Sequence, residues 1–178
     1  MTFTQHMAWH MFLVTVAAPI VAVMIRGTRL DPVRAVPSRL SPLVACLIEF
    51  VVVWGWHLPA PHAAARHGST WFAAEQLSFA AAALFLWIAI LGGDRGERAA
   101  RAGTSVIALG LTFAHMTMLG VLIALAPREL YGHGAGALAD QQQGGAVMVL
   151  AGALAYPAAA VWLSRLLIAP RPAGGGGT

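Results

Sequence analysis

Charge is what this chain has least of. Only 10% of its 178 residues are Asp, Glu, Lys or Arg, where a soluble domain carries about 25%. So little polar surface cannot cover a water-soluble globule, which excludes a soluble enzyme. Lysine is absent, and the formal charge of +4 comes from 11 basic residues, all arginine, against 7 acidic ones. These arginines form no basic stripe along which a nucleic acid could lie, so no nucleic-acid role is expected. The single cysteine, Cys46, excludes an internal disulfide and any C-x-x-C site. No G-x-S-x-G setting surrounds Ser78, Ser105 or Ser164, and no phosphate-cradling loop occurs. No catalytic constellation is therefore expected. The first apolar run is about as long as a span and lacks a basic leader, so it is expected to stay in the protein.

What the chain has instead is apolar runs. Hydrophobic residues make up 58%, and runs of roughly 20 residues, the length that crosses a bilayer core, recur along it. They are Met7–Ile25, Leu43–Leu58, Trp71–Leu91, Thr104–Ala126 and Gly145–Ile168. The second has only 16 residues, so its ends are expected in the interface or in a thinned bilayer. Gly, Pro, Arg and Ser between the runs predict turns. The expectation is an all-α, polytopic membrane bundle of five transmembrane helices. Residues 1–168 form one domain, and residues 169–178, ending "AGGGGT", form a flexible tail.

Arginine predicts the orientation. Arg26, Arg29, Arg34 and Arg39 lie in the first link, Arg95, Arg98 and Arg101 in the third, and Arg165 and Arg171 at the C-terminal end. The opposite side has only Arg66 and Arg128. By the positive-inside rule the N-terminus is outside and the C-terminus cytoplasmic. Trp54, Trp56, Trp71 and Tyr131 then mark the outer interface, and Trp87 and Trp162 the inner one.

The histidines follow that asymmetry. His6, His10, His57, His62, His67 and His133 fall at or beyond the outer face, and only His115 is deeper. In "HMAWHM", His6 and His10 are i and i+4, as are Met7 and Met11, so all four share one broad stripe. Imidazole binds many divalent ions, whereas thioether sulfur selects soft Cu(I). Glu49 lies eight residues before His57, about 12 Å of helix. An ionisable group at membrane depth is a functional candidate. His115 is expected about 16 Å deep, level with Glu49, so the two can meet. In "AHMTML", His115 and Met118 are i and i+3 and share a face, while Met116 is expected to point elsewhere. Glu75 and Asp140 are placed to neutralise a bound cation or to orient a histidine. On residues alone, a b-type haem between two facing histidines and a ligand-free scaffolding protein remain open.

Four ordered motifs carry a resemblance. "QHMAWHMFLVTVAAPIVAV", "WGWHLPAPHAAARHGSTWFAAEQLSF", "AHMTMLG" and "DQQQGGAVMVLAG" are similar to the segments of the CtaG family, the caa3-type cytochrome c oxidase assembly proteins. The likeness spans roughly residues 5–156. Two positions depart from the pattern: Gln76 follows Glu75 where members often carry His, and Val149 stands where they carry Trp. The resemblance implies an integral membrane factor that helps to assemble haem–copper oxidase, with copper delivered to the copper-bearing subunit II. The ligands expected for Cu(I) are His6, His10, His57 and His115, with Met7, Met11 and Met118 as soft partners. Glu49, Glu75 and Asp140 are the supporting acids.

Overall fold

Inside a bilayer only a helix or a closed barrel satisfies its own backbone, and this chain builds helices. The computed structural model describes residues 1–35, 41–132 and 135–168, and no strand occurs among them. Helix α1 (Phe3–Phe12) passes through a π-helical turn (Leu13–Ala17) into α2 (Ala18–Ile25). Then come α3 (Pro32–Ala35), α4 (Pro42–Trp56), α5 (Pro59–His67), α6 (Ser69–Leu91), α7 (Arg95–Ala124) and α8 (Ala137–Ile168). Four stretches are long and apolar enough to cross a membrane: Phe3–Ile25, Ser69–Leu91, Arg95–Ala124 and Ala137–Ile168. The pair Pro42–Trp56 and Pro59–Arg66 is bent by 72° and makes a fifth span if counted as one. Arg39, His133, Arg171 and the tail from residue 169 lie outside the described residues.

The helices run past the apolar runs, for reasons visible in the caps. The stretch "GDRGERAARAG" was expected to be a turn, yet α7 starts at Arg95 within it. Asp94 accepts from the Glu97 amide at 2.8 Å and donates its own to Glu97 Oε2 at 2.7 Å, a reciprocal capping box. Thr2 and Gln5 start α1 in the same way. The second link, also expected to be a turn, is helical as α5; Pro59 and Pro61 suit its first turn, and alanines fill the rest.

Polarity is inverted relative to a soluble protein. Large apolar side chains such as Met24, Leu47, Leu77, Leu122 and Leu154 are exposed on the outside of the bundle. His6, His10, Glu49, His57, Glu75 and His115 are buried inside. That is the distribution expected where lipid is the solvent.

Close helix contacts depend on missing Cβ atoms. In "DQQQGG", a Cβ on Gly144 would lie 2.4 Å from Phe3 Cδ1, and one on Gly145 2.5 Å from the Ala124 amide. One glycine admits α1 and the other admits α7. The same motif ties the N-terminus down: Asp140 takes the Phe3 amide at 2.6 Å and the Thr4 amide at 3.1 Å. Gln141 Oε1 accepts from the Leu130 amide at 2.7 Å.

The π turn also has a local cause. Pro19 has no N–H to give to Thr15 and crowds the preceding turn, and the helix opens there. The Trp87 indole donates to the freed Val14 carbonyl at 2.8 Å. At the arginine-rich end, Asp31 joins the first link to the α6–α7 turn. Its carboxylate accepts from Gly27 at 2.8 Å, Gly93 at 2.7 Å and Val33 at 3.1 Å. Burial pushes this carboxyl up, but the three N–H bonds and the nearby Arg101 outweigh it and hold it below the usual range. Arg98 and Arg101 donate to the Gly93 and Gly92 carbonyls.

Candidate metal centre

The opposite end of the bundle gathers the histidines. The i, i+4 spacing in α1 turns His6 and His10 inward together, and their rings meet edge-on with centroids 4.1 Å apart. His6 Nε2 and His10 Nε2 are 2.7 Å apart. Glu75, from α6, brings Oε1 to 3.3 Å from His6 Nε2 and 3.8 Å from His10 Nε2. Gln76 Nε2 donates to the other carboxylate oxygen at 3.3 Å. The Gln that replaces a possible ligand therefore orients the acid beside it. The three ligand atoms of His6, His10 and Glu75 all lie within 4.8 Å of one another, and all three residues are buried.

The hydrogen bonds constrain the protons. One N–H on His6 Nε2 satisfies both contacts, shared between His10 Nε2 and the carboxylate. Three potential ligand atoms therefore converge on one point. His10 Nδ1 has no partner at all.

His57 reaches the same region from the end of α4. Its Nδ1–H donates to the Val53 carbonyl at 2.6 Å. That bond sets the tautomer and leaves Nε2 as a bare lone pair, buried and without a partner. His62, on α5, lies edge-on to His6 with centroids 5.3 Å apart, and its Nε2 is also unpartnered. Tyr131 covers the group, stacking on Phe3 at 4.8 Å and meeting His62 at 4.7 Å. Its hydroxyl donates to the His57 carbonyl at 2.7 Å. Burial pushes that hydroxyl up to about 12, so it remains a donor at neutral pH.

Two cavities flank the histidines. A half-open one of about 500 Å³ is lined by Met1, Thr2, His6, His62, Arg66 and Phe72, among others. A second, of about 10 Å³, lies inside, lined by His10, His57, Met7, Met11, Met116 and Met148, among others.

Not every expected residue joins this centre. Met118 is 50% exposed on the bundle surface, while Met116 is 2% exposed and lines the inner cavity. The facing is the reverse of the one expected from "AHMTML". His115 is buried but stands apart, edge-on to Phe50 with centroids 5.3 Å apart, and both its nitrogens are unpartnered. The expected meeting with Glu49 does not occur. Neighbouring helical residues are about 100° apart, and α4 turns Phe50, not Glu49, toward His115. Glu49 instead accepts from the Tyr156 hydroxyl at 3.4 Å. Asp140 is spent on the amides of α1 and does not approach the histidines as a charge partner. The His67 side chain and His133 lie outside the described residues.

Residues 1–169 match the family described as cytochrome c oxidase caa3 assembly factor (Caa3_CtaG). The chain belongs to this family. No curated protein and no solved structure matches it. For this Caa3_CtaG member, the structure adds residues that spacing did not reveal. Gln76, Met116, Met148 and Tyr131 surround the centre. Met148 lies in the segment "DQQQGGAVMVLAG", but only packing turns it inward.

Proposed function

We propose that this assembly factor holds copper, as Cu(I), and passes it to the oxidase, at the subunit bearing the dinuclear copper centre. The cargo is bound and released without covalent chemistry. The observation that carries the reading is the convergence of His6 Nε2, His10 Nε2 and Glu75 Oε1 within 4.8 Å in a buried setting. Beside them His10 Nδ1, His57 Nε2 and His62 Nε2 are buried without partners, which natural cores rarely allow. An ion at this point would replace the shared proton and use all three lone pairs. The half-open cavity beside His6 supplies access. In this reading the histidine end faces outward from the bacterial cytoplasmic membrane, because arginine marks the other end.

A b-type haem fits less well. Two Nε2 atoms 2.7 Å apart converge on one point, and a cavity of about 10 Å³ between His10 and His57 has no room for a macrocycle. The test is a full-length His6→Ala/His10→Ala variant, purified without chelator. Copper per chain, and copper in the oxidase of cells carrying it, should both fall while protein abundance holds. Unchanged copper in both would refute the reading.

A further inference from the structure

The inner cavity differs in chemistry from the His6, His10 and Glu75 cluster. It is lined by four methionines from three helices: Met7 and Met11 on α1, Met116 on α7 and Met148 on α8. Met is a common gap filler, but here a small void remains among the four side chains. Packing alone also leaves the bare His57 Nε2 unexplained. A buried nitrogen without a partner is costly, and its lone-pair form is the one that binds metal. His10 belongs to both places. Its Nε2 faces His6 and Glu75, and its Nδ1 is unpartnered on a ring that also lines the cavity.

We propose that Met7, Met11, Met116 and Met148, with His57, form a second, thioether-rich Cu(I) station that receives the ion from His6, His10 and Glu75 through His10. This rests on the copper reading above and deepens it. The two stations differ in donor chemistry. Two imidazoles and a carboxylate accept Zn(II) as well as copper, whereas thioethers strongly favour Cu(I). The ion moves between them as Cu(I), so no electron is gained or lost. The second station thus acts as a filter for the soft ion. A cavity of about 10 Å³ suits a single small occupant.

The test uses the full chain in detergent, with Cu(I) presented by a competing chelator and Zn(II) titrated separately. X-ray absorption of Cu(I)-loaded wild type should show sulfur neighbours. Met116→Leu/Met148→Leu preserves volume. It should lose about half of that sulfur signal and weaken Cu(I) binding about 10-fold or more, the scale of ligand-shell losses. Its Zn(II) affinity should stay within about twofold of wild type. Met118→Leu, outside the cavity, should change neither. Wild type that binds Cu(I) with nitrogen and oxygen neighbours only overturns the second station and leaves the copper reading intact. Wild type that binds neither ion overturns both.

Discussion

The two ends of the bundle treat buried polar groups in opposite ways. At the arginine end, Asp31 accepts three backbone N–H bonds, and the terminal nitrogens of Arg98 and Arg101 hold the neighbouring carbonyls. Among the described residues there, Arg98 Nε, Arg101 Nε and, further along α7, Ser105 Oγ lack partners. At the histidine end, His10 Nδ1, His57 Nε2 and His62 Nε2 are all buried and bare. A junction that only joins helices is stable when saturated. A site that must take up an ion is left with lone pairs to give. The comparison therefore separates groups saturated within the fold from groups that the copper proposal assigns to cargo.

The sharpest way to break this contrast is Asp31→Ala. It strands three N–H groups, each worth on the order of 1–3 kcal/mol, so unfolding in detergent should be easier by about 3 kcal/mol or more. Copper per folded chain should not change. A copper loss at unchanged stability would reverse the roles assigned to the two ends. Next in size is Gly145→Ala, whose Cβ would sit 2.5 Å from the Ala124 amide. Overpacking of this kind costs about 1–3 kcal/mol, and α7 must shift, so both stability and copper affinity should fall.

Acid acts on both ends, so comparing wild type with Asp31→Asn isolates the arginine end. The Asp31 carboxyl is held below its usual range, so its contribution is present above the unfolded value of about 3.9. That contribution is lost as pH falls through the lower folded value. Wild type should lose stability on acidification below about pH 4, and Asp31→Asn should flatten that part of the curve. A parallel curve would mean that Asp31 is not the group responsible. A substitution at the histidine end should change stability little. His10→Leu removes a half-partnered ring and should shift unfolding by no more than about 1 kcal/mol, while copper binding collapses. Smallest of all is Met118→Leu at its exposed site, for which neither unfolding nor copper should move.

The arginine split that predicted sidedness is consistent with the fold, since Asp31 brings the first and third links together at one end. The "HMAWHM" stripe was also readable, because i, i+4 spacing within one helix fixes a shared face whatever surrounds it. Glu75 could be named as an acid near that end, but not as the atom that closes on His6. That contact depends on α6 being packed at the right rotation beside α1. The capping box at Asp94 and Glu97 was present in the residues and would have extended α7 to its true start.

The amino-acid order by itself determined where helices form, which stretches meet lipid and which end carries the histidines. These follow from local composition and from the fixed period of a helix. Only the tertiary structure decided which methionine of "AHMTML" faces the site and whether Glu49 meets His115. A helix's own pattern sets the relative directions of its side chains but not its rotation against its neighbours. Here that rotation is set by close approach at Gly120, Gly144 and Gly145. The result turns Met116 inward, leaves Met118 outside and seats His115 on Phe50.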